Sequence, residues 1–246
     1  LAMLSFEPNS PTYKNLDRVV NLGDQAASLI KQLLTFSRQT PIEKQPLSLV
    51  PIVKETGKVL ERTLPESIKI NIQIESGLTN VRADATQMQQ ILMNLSVNAR
   101  DAMLDGGELD ISLANIELNE QQARLHGERS PGRYVRLAIR DNGPGIPPEV
   151  RDRIFEPFYT TKEIGKGTGL GLSIVHGIVE SHAGHIHLTT SEQRTEFQVY
   201  LPAIQEEVPE PLDQSEIPPG SETLLLVEDD QNVREIAEKL LTSQGY

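Results

Sequence analysis

The spacing of apolar residues predicts a long helix in the first forty positions. From residue 13 to about residue 39, apolar and small residues recur at alternating steps of three and four, until Pro41 and Pro46 break the pattern. The stripe consists of Leu16, Val19, Gly23, Ala26, Ile30, Leu33 and Ser37. Such a stripe is typical of a helix in a bundle, although an ordinary amphipathic helix on a globular core would also show it.

Residues 47–201 alternate between helical and strand patterns. Residues 47–64 and 84–103 have helical periodicity, and Asp84 is placed to cap the second helix. Isoleucine alternates strictly with polar residues over Ile68–Ile74, as in a strand with one buried face. Further strands are predicted at 81–83, 109–113, 134–139, 186–188 and 197–201, with a polar loop at 117–132. The expected fold class is α+β, a two-layer α/β sandwich whose mostly antiparallel sheet has helices on one face.

A different pattern begins near the end of the chain. Residues 203–221 are acidic and rich in proline, which predicts a linker. Residues 224–227 are consecutively apolar, as in a fully buried strand, and residues 233–241 have an amphipathic helical pattern. Asp229 and Asp230 stand between them in a carboxylate cluster. We interpret this tail as the first βα unit of a second α/β domain, which cannot close a core alone and is expected to be poorly ordered unless it docks elsewhere.

Composition excludes several classes of protein. The 246 residues contain no cysteine, so disulfides and thiolate metal sites are excluded. The net charge of −12 argues against a nucleic-acid partner. No apolar run approaches the ~20 residues of a membrane span, and the opening LAMLSF lacks the features of a signal peptide. We therefore expect a cytoplasmic location, although a parent protein could be anchored upstream.

The most informative stretch is 141–172, where two glycine clusters flank an apolar segment. Gly143 and Gly145 form the first cluster, and we expect Phe155 and Phe158 to form an apolar aromatic core between the clusters. The second cluster runs directly into a helical pattern, so free N–H groups and the helix dipole would meet there and favour a phosphate. Asp141 follows an apolar strand at the other end of the stretch. Together these features suggest a purine nucleotide site.

Polar residues also share one face of the helix predicted at 84–103. Asn94, Asn98 and Asp101 are four and three residues apart, which places them on the same side. Buried amides and a carboxylate are costly unless they meet a ligand or each other, and an amide oxygen can coordinate Mg²⁺ beside phosphates.

Four motifs in order give a family resemblance. NLSVNARDA resembles the N box of sensor histidine kinases, DNGPG their G1 box, FEPFYTTK their F box and GKGTGLGL their G2 box. The best match is the nitrogen-sensor-like branch of hybrid histidine kinases, over about 13–201, and the tail from 222 resembles the start of a receiver domain. The resemblance implies a partial dimerisation and phosphotransfer hairpin at 1–40, a catalytic ATP-binding domain of Bergerat type at 43–202, a linker at 203–221 and a truncated receiver at 222–246.

The resemblance also implies roles for individual residues. Asn98 would ligate Mg²⁺ beside ATP, Asn94 and Asp101 would line the phosphate side, and Asp141 would accept the adenine amino proton. Gly143 and Gly145 would let the backbone approach the base. The residues expected at the phosphates are Lys162, Lys166, Gly167, Thr168, Gly169, Leu170 and Gly171. The two lysines could instead simply be solvated.

One position separates kinases from related ATPases. ATPases of this superfamily carry a water-activating Glu where this chain has Asn94, which cannot act as a general base. The family's phosphoacceptor histidine is expected upstream of residue 1, since the five histidines are His126, His176, His182, His185 and His187. Asp229 and Asp230 match an incomplete receiver Mg²⁺ site whose phosphate-accepting Asp would lie beyond residue 246.

The expected function is a protein-histidine kinase of a two-component system. The resemblance implies ATP and Mg²⁺ as cofactors, its own receiver or a cognate response regulator as partner, and a homodimer in the full-length protein. The chain itself is expected to bind ATP without phosphorylating itself. The alternatives are a hydrolysing ATPase of the same fold and a non-enzymatic nucleotide-sensing scaffold.

Two further features are weaker. His182, His185 and His187 could suggest a metal site, but no acid or thiol joins them, and a solvated strand edge is the preferred interpretation. SEQRTEF lacks the glycine pair that usually precedes the family's last strand, which leaves the shape of the final hairpin open.

Overall fold

The structure is a computed structural model. It describes residues 10, 12, 13, 16, 43–120, 131–162, 167–208, 220, 222–243, 245 and 246. The predicted long helix at 13–39 therefore lies almost entirely outside the described residues, although Tyr13 and Leu16 are helical. The chain divides into two compact units, Leu1–Val208 and Pro209–Tyr246.

The first unit is a two-layer α/β sandwich, as predicted. Its strands are β1 (Gln45–Leu47), β2 (Ile68–Ile74), β3 (Asn80–Ala83), β4 (Gly107–Leu118), β5 (Gly132–Asp141), β6 (His185–Ser191) and β7 (Arg194–Ile204). Its helices are α1 (Leu49–Thr63), α2 (Ala85–Ala102), α3 (Pro148–Arg151) and α4 (Gly171–Ser181). The sheet order is β1-β3-β7-β5-β4-β2, and β6 pairs with β7. Only the β2–β4 pairing is parallel among the described strands.

The core lies between the sheet and the helices because each element presents one apolar face. In α2 the buried positions recur at helical spacing, and α2 packs between α1 and α4. In β4 the buried residues alternate over 109–113, whereas β5 is buried over most of its length, and the two strands pair in register from Leu109↔Asp141 to Leu118↔Gly132. The largest fully buried side chains include Leu60, Met88, Leu95, Ile111 and Ile139. This packing fixes α2 across the sheet.

The boundaries of the two long helices follow the sequence prediction closely, whereas those of the strands do not. Asp84 caps α2, and its carboxylate accepts the N–H of Gln87 at 3.0 Å. The strands are longer than predicted, since β4 reaches Leu118 and β7 reaches Ile204. The final hairpin is a tight turn with Glu192 and Gln193 at its tip, between paired Ser191 and Arg194.

The second unit, Pro209–Tyr246, differs from its prediction in one element. Residues 224–227 were predicted to form a fully buried strand, but they adopt no strand, and Leu225 and Val227 are 91% and 83% exposed. A strand needs a neighbour for its backbone hydrogen bonds, and the described residues provide none there. The predicted helix is present as α5 (Gln231–Ser243), with Asp230 accepting the N–H of Val233 at 3.2 Å. None of the described helices is both long enough and apolar enough to cross a membrane.

Candidate nucleotide site

The polar face of α2 meets the start of α4. The Asn94 side-chain amide donates to the Gly171 carbonyl at 3.4 Å, and a Cβ added to Gly171 would lie 3.7 Å from Nδ2 of Asn98. Leu170, the N-cap residue of α4, provides no side-chain cap, so within the described residues the first N–H groups of α4 have no capping side chain. Two amides and a helix N-terminus thus converge, an arrangement suited to an anion.

The buried carboxylate of Asp141 forms the opposite end of the site. It lies at the end of β5, only 5% exposed, and its Oδ1 accepts the N–H of Gly143 at 3.0 Å. Burial raises the pKa of Asp141 to about 6, against the opposing effect of the Gly143 hydrogen bond. No cationic side chain in the described ranges pairs with it. It is therefore a mostly ionised, unneutralised acceptor at neutral pH.

Two glycines let the loop after Asp141 lie close to neighbouring residues. A Cβ on Gly143 would lie 2.8 Å from Oδ1 of Asp141 and 3.3 Å from the Ala102 side chain. Gly145 has a φ of +77°, and a Cβ there would come within 1.8 Å of the Ser191 carbonyl. Gly145 thus requires glycine, whereas a side chain at Gly143 would press on the Asp141 carboxylate.

The loop is held by contacts that the sequence did not reveal. The N–H of Ile146 donates to the Thr190 hydroxyl at 2.9 Å, and Nε of Arg151 donates to the Ile146 carbonyl at 2.9 Å. These contacts tie the loop to the hairpin and to α3. Thr190 lies 44 residues from Ile146, so no local signal could have shown it.

The helix α2 sets the length of the site. Ala102 lies beside Gly143 at one end, and Asn94 contacts Gly171 at the other. Eight helical residues span ~12 Å, which suits a nucleotide with its base near Asp141 and its phosphates near α4.

The segment between the two glycine clusters differs in part from its prediction. Phe155 packs against the core, but Phe158 is 64% exposed, so the predicted aromatic core at Phe158 is wrong. Phe158 has a φ of +66°, and its N–H donates to the Gly169 carbonyl at 3.0 Å. This left-handed backbone turns the ring away from the core.

The predicted phosphate lysines have different outcomes. Lys162 lies beside α2, with Nζ 2.6 Å from Oδ2 of Asp101. Lys166 lies outside the described residues. Next to it, Thr168 accepts the N–H of Leu170 at 3.3 Å, and Leu170 is buried at the start of α4.

The environment of the histidines differs from the prediction. His182 and His185 are both 4% exposed, so they do not form a solvated strand edge. The ring of His182 is hydrogen-bonded to the Asp84 N–H at 3.1 Å and the Ile178 carbonyl at 2.8 Å. The His185 ring stacks on Tyr200, with centroids 4.4 Å apart. Across the described part of the chain, no three His, Asp or Glu side chains are grouped to hold a metal, and Asp229 and Asp230 are exposed.

Comparison with known proteins agrees with this geometry. The family model described as histidine kinase-, DNA gyrase B-, and HSP90-like ATPase matches residues 83–205. Sensor kinase CckA of Brucella abortus (strain 2308) is 36% identical, covering 100% of this chain and 27% of CckA. Sensory histidine kinase/phosphatase NtrB of Rhizobium meliloti (strain 1021) is 30% identical over 73% of this chain and 47% of NtrB. The chain thus spans less than half the length of these relatives.

The fold also matches solved kinases. Full-length ShkA, solved in complex with AMPPNP, superposes with a TM-score of 0.64 at 24% identity, over 84% of this chain and 42% of ShkA. At this identity the likeness shows the fold. It agrees with the α+β sandwich of this chain.

Proposed function

Because the chain belongs to the histidine kinase-, DNA gyrase B- and HSP90-like ATPase family, we propose that the cleft along α2 binds ATP with Mg²⁺ and supplies the γ-phosphoryl group to a protein histidine. The observation that carries this proposal is the buried Asp141 carboxylate, which pairs with no cation among the described residues and faces a loop in which Gly145 requires glycine. The parent protein is then a sensor kinase of a two-component system.

Asp141 recognises the base. Its ionised carboxylate is an acceptor, and the adenine amino group is a donor. Guanine carries a carbonyl at that position, which would place two acceptors face to face in a buried site. The site therefore prefers ATP to GTP.

The other end of the cleft holds the phosphates. The uncapped N-terminus of α4 provides N–H groups from Gly171 onward, and the Asn98 amide oxygen is a suitable Mg²⁺ ligand one turn before Asp101. When bound, Mg²⁺ supplies charge compensation for the phosphoryl group in transfer. The protein's own part is to align the triphosphate along α2.

The domain donates the phosphoryl group rather than hydrolysing ATP. Asn94 cannot accept a proton from water, and its amide is engaged with Gly171. His182 and His185 are poorly suited as acceptors, since both ring nitrogens of His182 are hydrogen-bonded and His185 is buried. From the family resemblance we propose that the acceptor is a histidine on the first helix of the dimerisation bundle, upstream of residue 1.

The segments before and after the α/β sandwich bear on the later steps of phosphotransfer. The match to sensor kinase CckA covers the whole chain, including the tail. Because residues 222–246 resemble the start of a receiver domain, we propose a hybrid kinase whose next acceptor is its own receiver domain or a cognate response regulator. Asp229 and Asp230 would belong to that receiver's Mg²⁺ site. The bundle makes the full-length kinase a homodimer, and the use of ATP places the domain in the cytoplasm.

Calorimetric titration tests the nucleotide site. The chain should bind a non-hydrolysable ATP analogue with Mg²⁺ saturably and the GTP analogue at least tenfold more weakly, and Asp141→Ala should abolish the preference. Radiolabelled ATP should leave no stable phosphate on the chain. Absence of binding at millimolar nucleotide would favour the scaffold alternative, and rapid hydrolysis would favour the ATPase.

A further inference from the structure

An ion pair joins two parts of the chain that lie 61 residues apart. Asp101 occupies the last turn of α2, and Nζ of Lys162 lies 2.6 Å from its Oδ2. The other oxygen, Oδ1, accepts from Nε and Nη2 of Arg100 at 2.8 and 2.7 Å. Both carboxylate oxygens are therefore satisfied, and the three side chains together carry one net positive charge.

The Asp101–Lys162 pair is partly shielded from water. The side chains of Lys162 and Asp101 are 36% and 25% exposed. Burial acts to raise the pKa of Asp101, but the hydrogen bonds and charges of Lys162 and Arg100 outweigh it and lower the pKa below 3.8. The carboxylate is thus ionised, and the pair formed, throughout the neutral range.

The backbone also fixes Lys162. Its N–H donates to the Thr160 hydroxyl at 3.2 Å, and a Cβ on Gly167 would lie 3.1 Å from both Cβ and Cδ of Lys162. The Phe158–Gly169 hydrogen bond holds the same two segments together. Gly167 therefore lies against one side of the Lys162 side chain, and the ammonium group of Lys162 points to α2.

We propose that Asp101 is a positioning residue that holds the Lys162 ammonium group one helical turn from Asn98, where it contacts the phosphates of a bound nucleotide. This rests on the proposed nucleotide site. An isolated carboxylate on that face would repel phosphate, whereas the group formed with Arg100 and Lys162 attracts it.

Lysine benefits from such an anchor. Its flexible four-carbon stem lets a free ammonium group range widely, so ordering it on binding costs entropy. Asp101 engages one of the three ammonium donors, and the other two remain for phosphate oxygens. The Lys162 side chain is then already ordered before the nucleotide binds.

Binding measurements on four variants test the role. Asp101→Asn and Lys162→Met should each weaken binding of the Mg²⁺–ATP analogue about three- to tenfold. The double variant should bind no more weakly than Lys162→Met, because Asp101 acts through Lys162. Lys162→Arg should retain most of the affinity. Adenosine, which has the base but no phosphates, should bind all variants as it binds the parent chain.

A matched control comes from the sheet. Lys69 and Glu108 form an ion pair at 3.7 Å between β2 and β4, outside the cleft, so Glu108→Gln should leave binding unchanged. Unchanged or tighter binding by Asp101→Asn, additive losses in the double variant, or an equal loss for adenosine would each overturn the positioning role.

The outcomes also separate this inference from the proposed function. If the parent chain binds no nucleotide, or Asp141→Ala leaves binding intact, the nucleotide site fails and the inference fails with it. If instead the parent chain binds nucleotide and Asp141→Ala weakens that binding, but Asp101→Asn leaves it unchanged, only the role of Asp101 fails.

Discussion

Asp141→Asn should stabilise the nucleotide-free chain while it weakens nucleotide binding. The native carboxylate is buried and pairs with no cation among the described residues, and burial raises its pKa to about 6 from an ordinary 3.8. A folded-state pKa above the unfolded value means that this group favours the folded state fully below pH 3.8. That contribution is lost as the pH rises towards 6.

The size of the effect follows from the shift. The difference from 3.8 corresponds to about 3 kcal/mol at most, and we expect about 1–2 kcal/mol because the cleft is open to water. Asparagine keeps the shape and can still accept the Gly143 N–H, so it removes the charge and little else. In a unit of this size, such a gain raises Tm by roughly 3–6 °C.

Urea unfolding of both chains between pH 4 and pH 7.5 provides the assay. The gain in free energy of unfolding should be full at pH 7.5, smaller at pH 5 and absent near pH 4. Affinity for the ATP analogue at pH 7.5 should fall roughly 10- to 100-fold, because a charge-assisted hydrogen bond is lost. A gain that does not vary with pH, or no gain at pH 7.5, would refute the assignment of a strained, unpaired carboxylate.

Three other perturbations have definite outcomes. Burial lowers the pKa of His182, so the stability that the neutral ring provides is present above pH 6.5 and is lost as the pH falls below it. His182→Gln should lower the free energy of unfolding in urea by about 1–2 kcal/mol at pH 7.5. It should also flatten the dependence of that free energy on pH between pH 5 and 6.5. Gly145→Ala should cost about 2–4 kcal/mol by the same method, whereas Gly177→Ala, which meets nothing within 4 Å in α4, should be neutral or stabilise by up to about 1 kcal/mol. Asn98→Ala should remove the Mg²⁺-dependent part of ATP-analogue affinity and leave metal-free binding intact in parallel titrations with and without Mg²⁺; equal losses in both would contradict a metal ligand.

Local sequence patterns predicted most helices and strands of the α/β sandwich well. The alternating isoleucines gave β2, and the spacing of Asn94, Asn98 and Asp101 placed them on one face of α2. These signals are reliable because a strand or helix that faces one core must repeat its apolar positions. β1 was missed, since three residues containing Pro46 carry no period, and Pro is tolerated there at a sheet edge.

Contacts between distant residues were not predictable in this way. Phe158 is exposed because its backbone has a positive φ, which the local sequence does not indicate. Residues 224–227 find no sheet partner in the described part of the chain, although a buried apolar strand requires one. The Asp101–Lys162 pair depends on how the segment after β5 returns to α2. The motifs therefore indicated which residues form the site, whereas the tertiary structure determined which of them touch.

The most direct test of the account is the pKa of Asp141 with and without nucleotide. Carboxyl-carbon NMR of the free chain should give a value near 6. Saturation with the Mg²⁺–ATP analogue should lower that value, because the adenine amino group donates to the ionised form. A pKa that stays near 6 or rises in the saturated chain would contradict base recognition by Asp141, and with it the central claim that this cleft is an adenine nucleotide site.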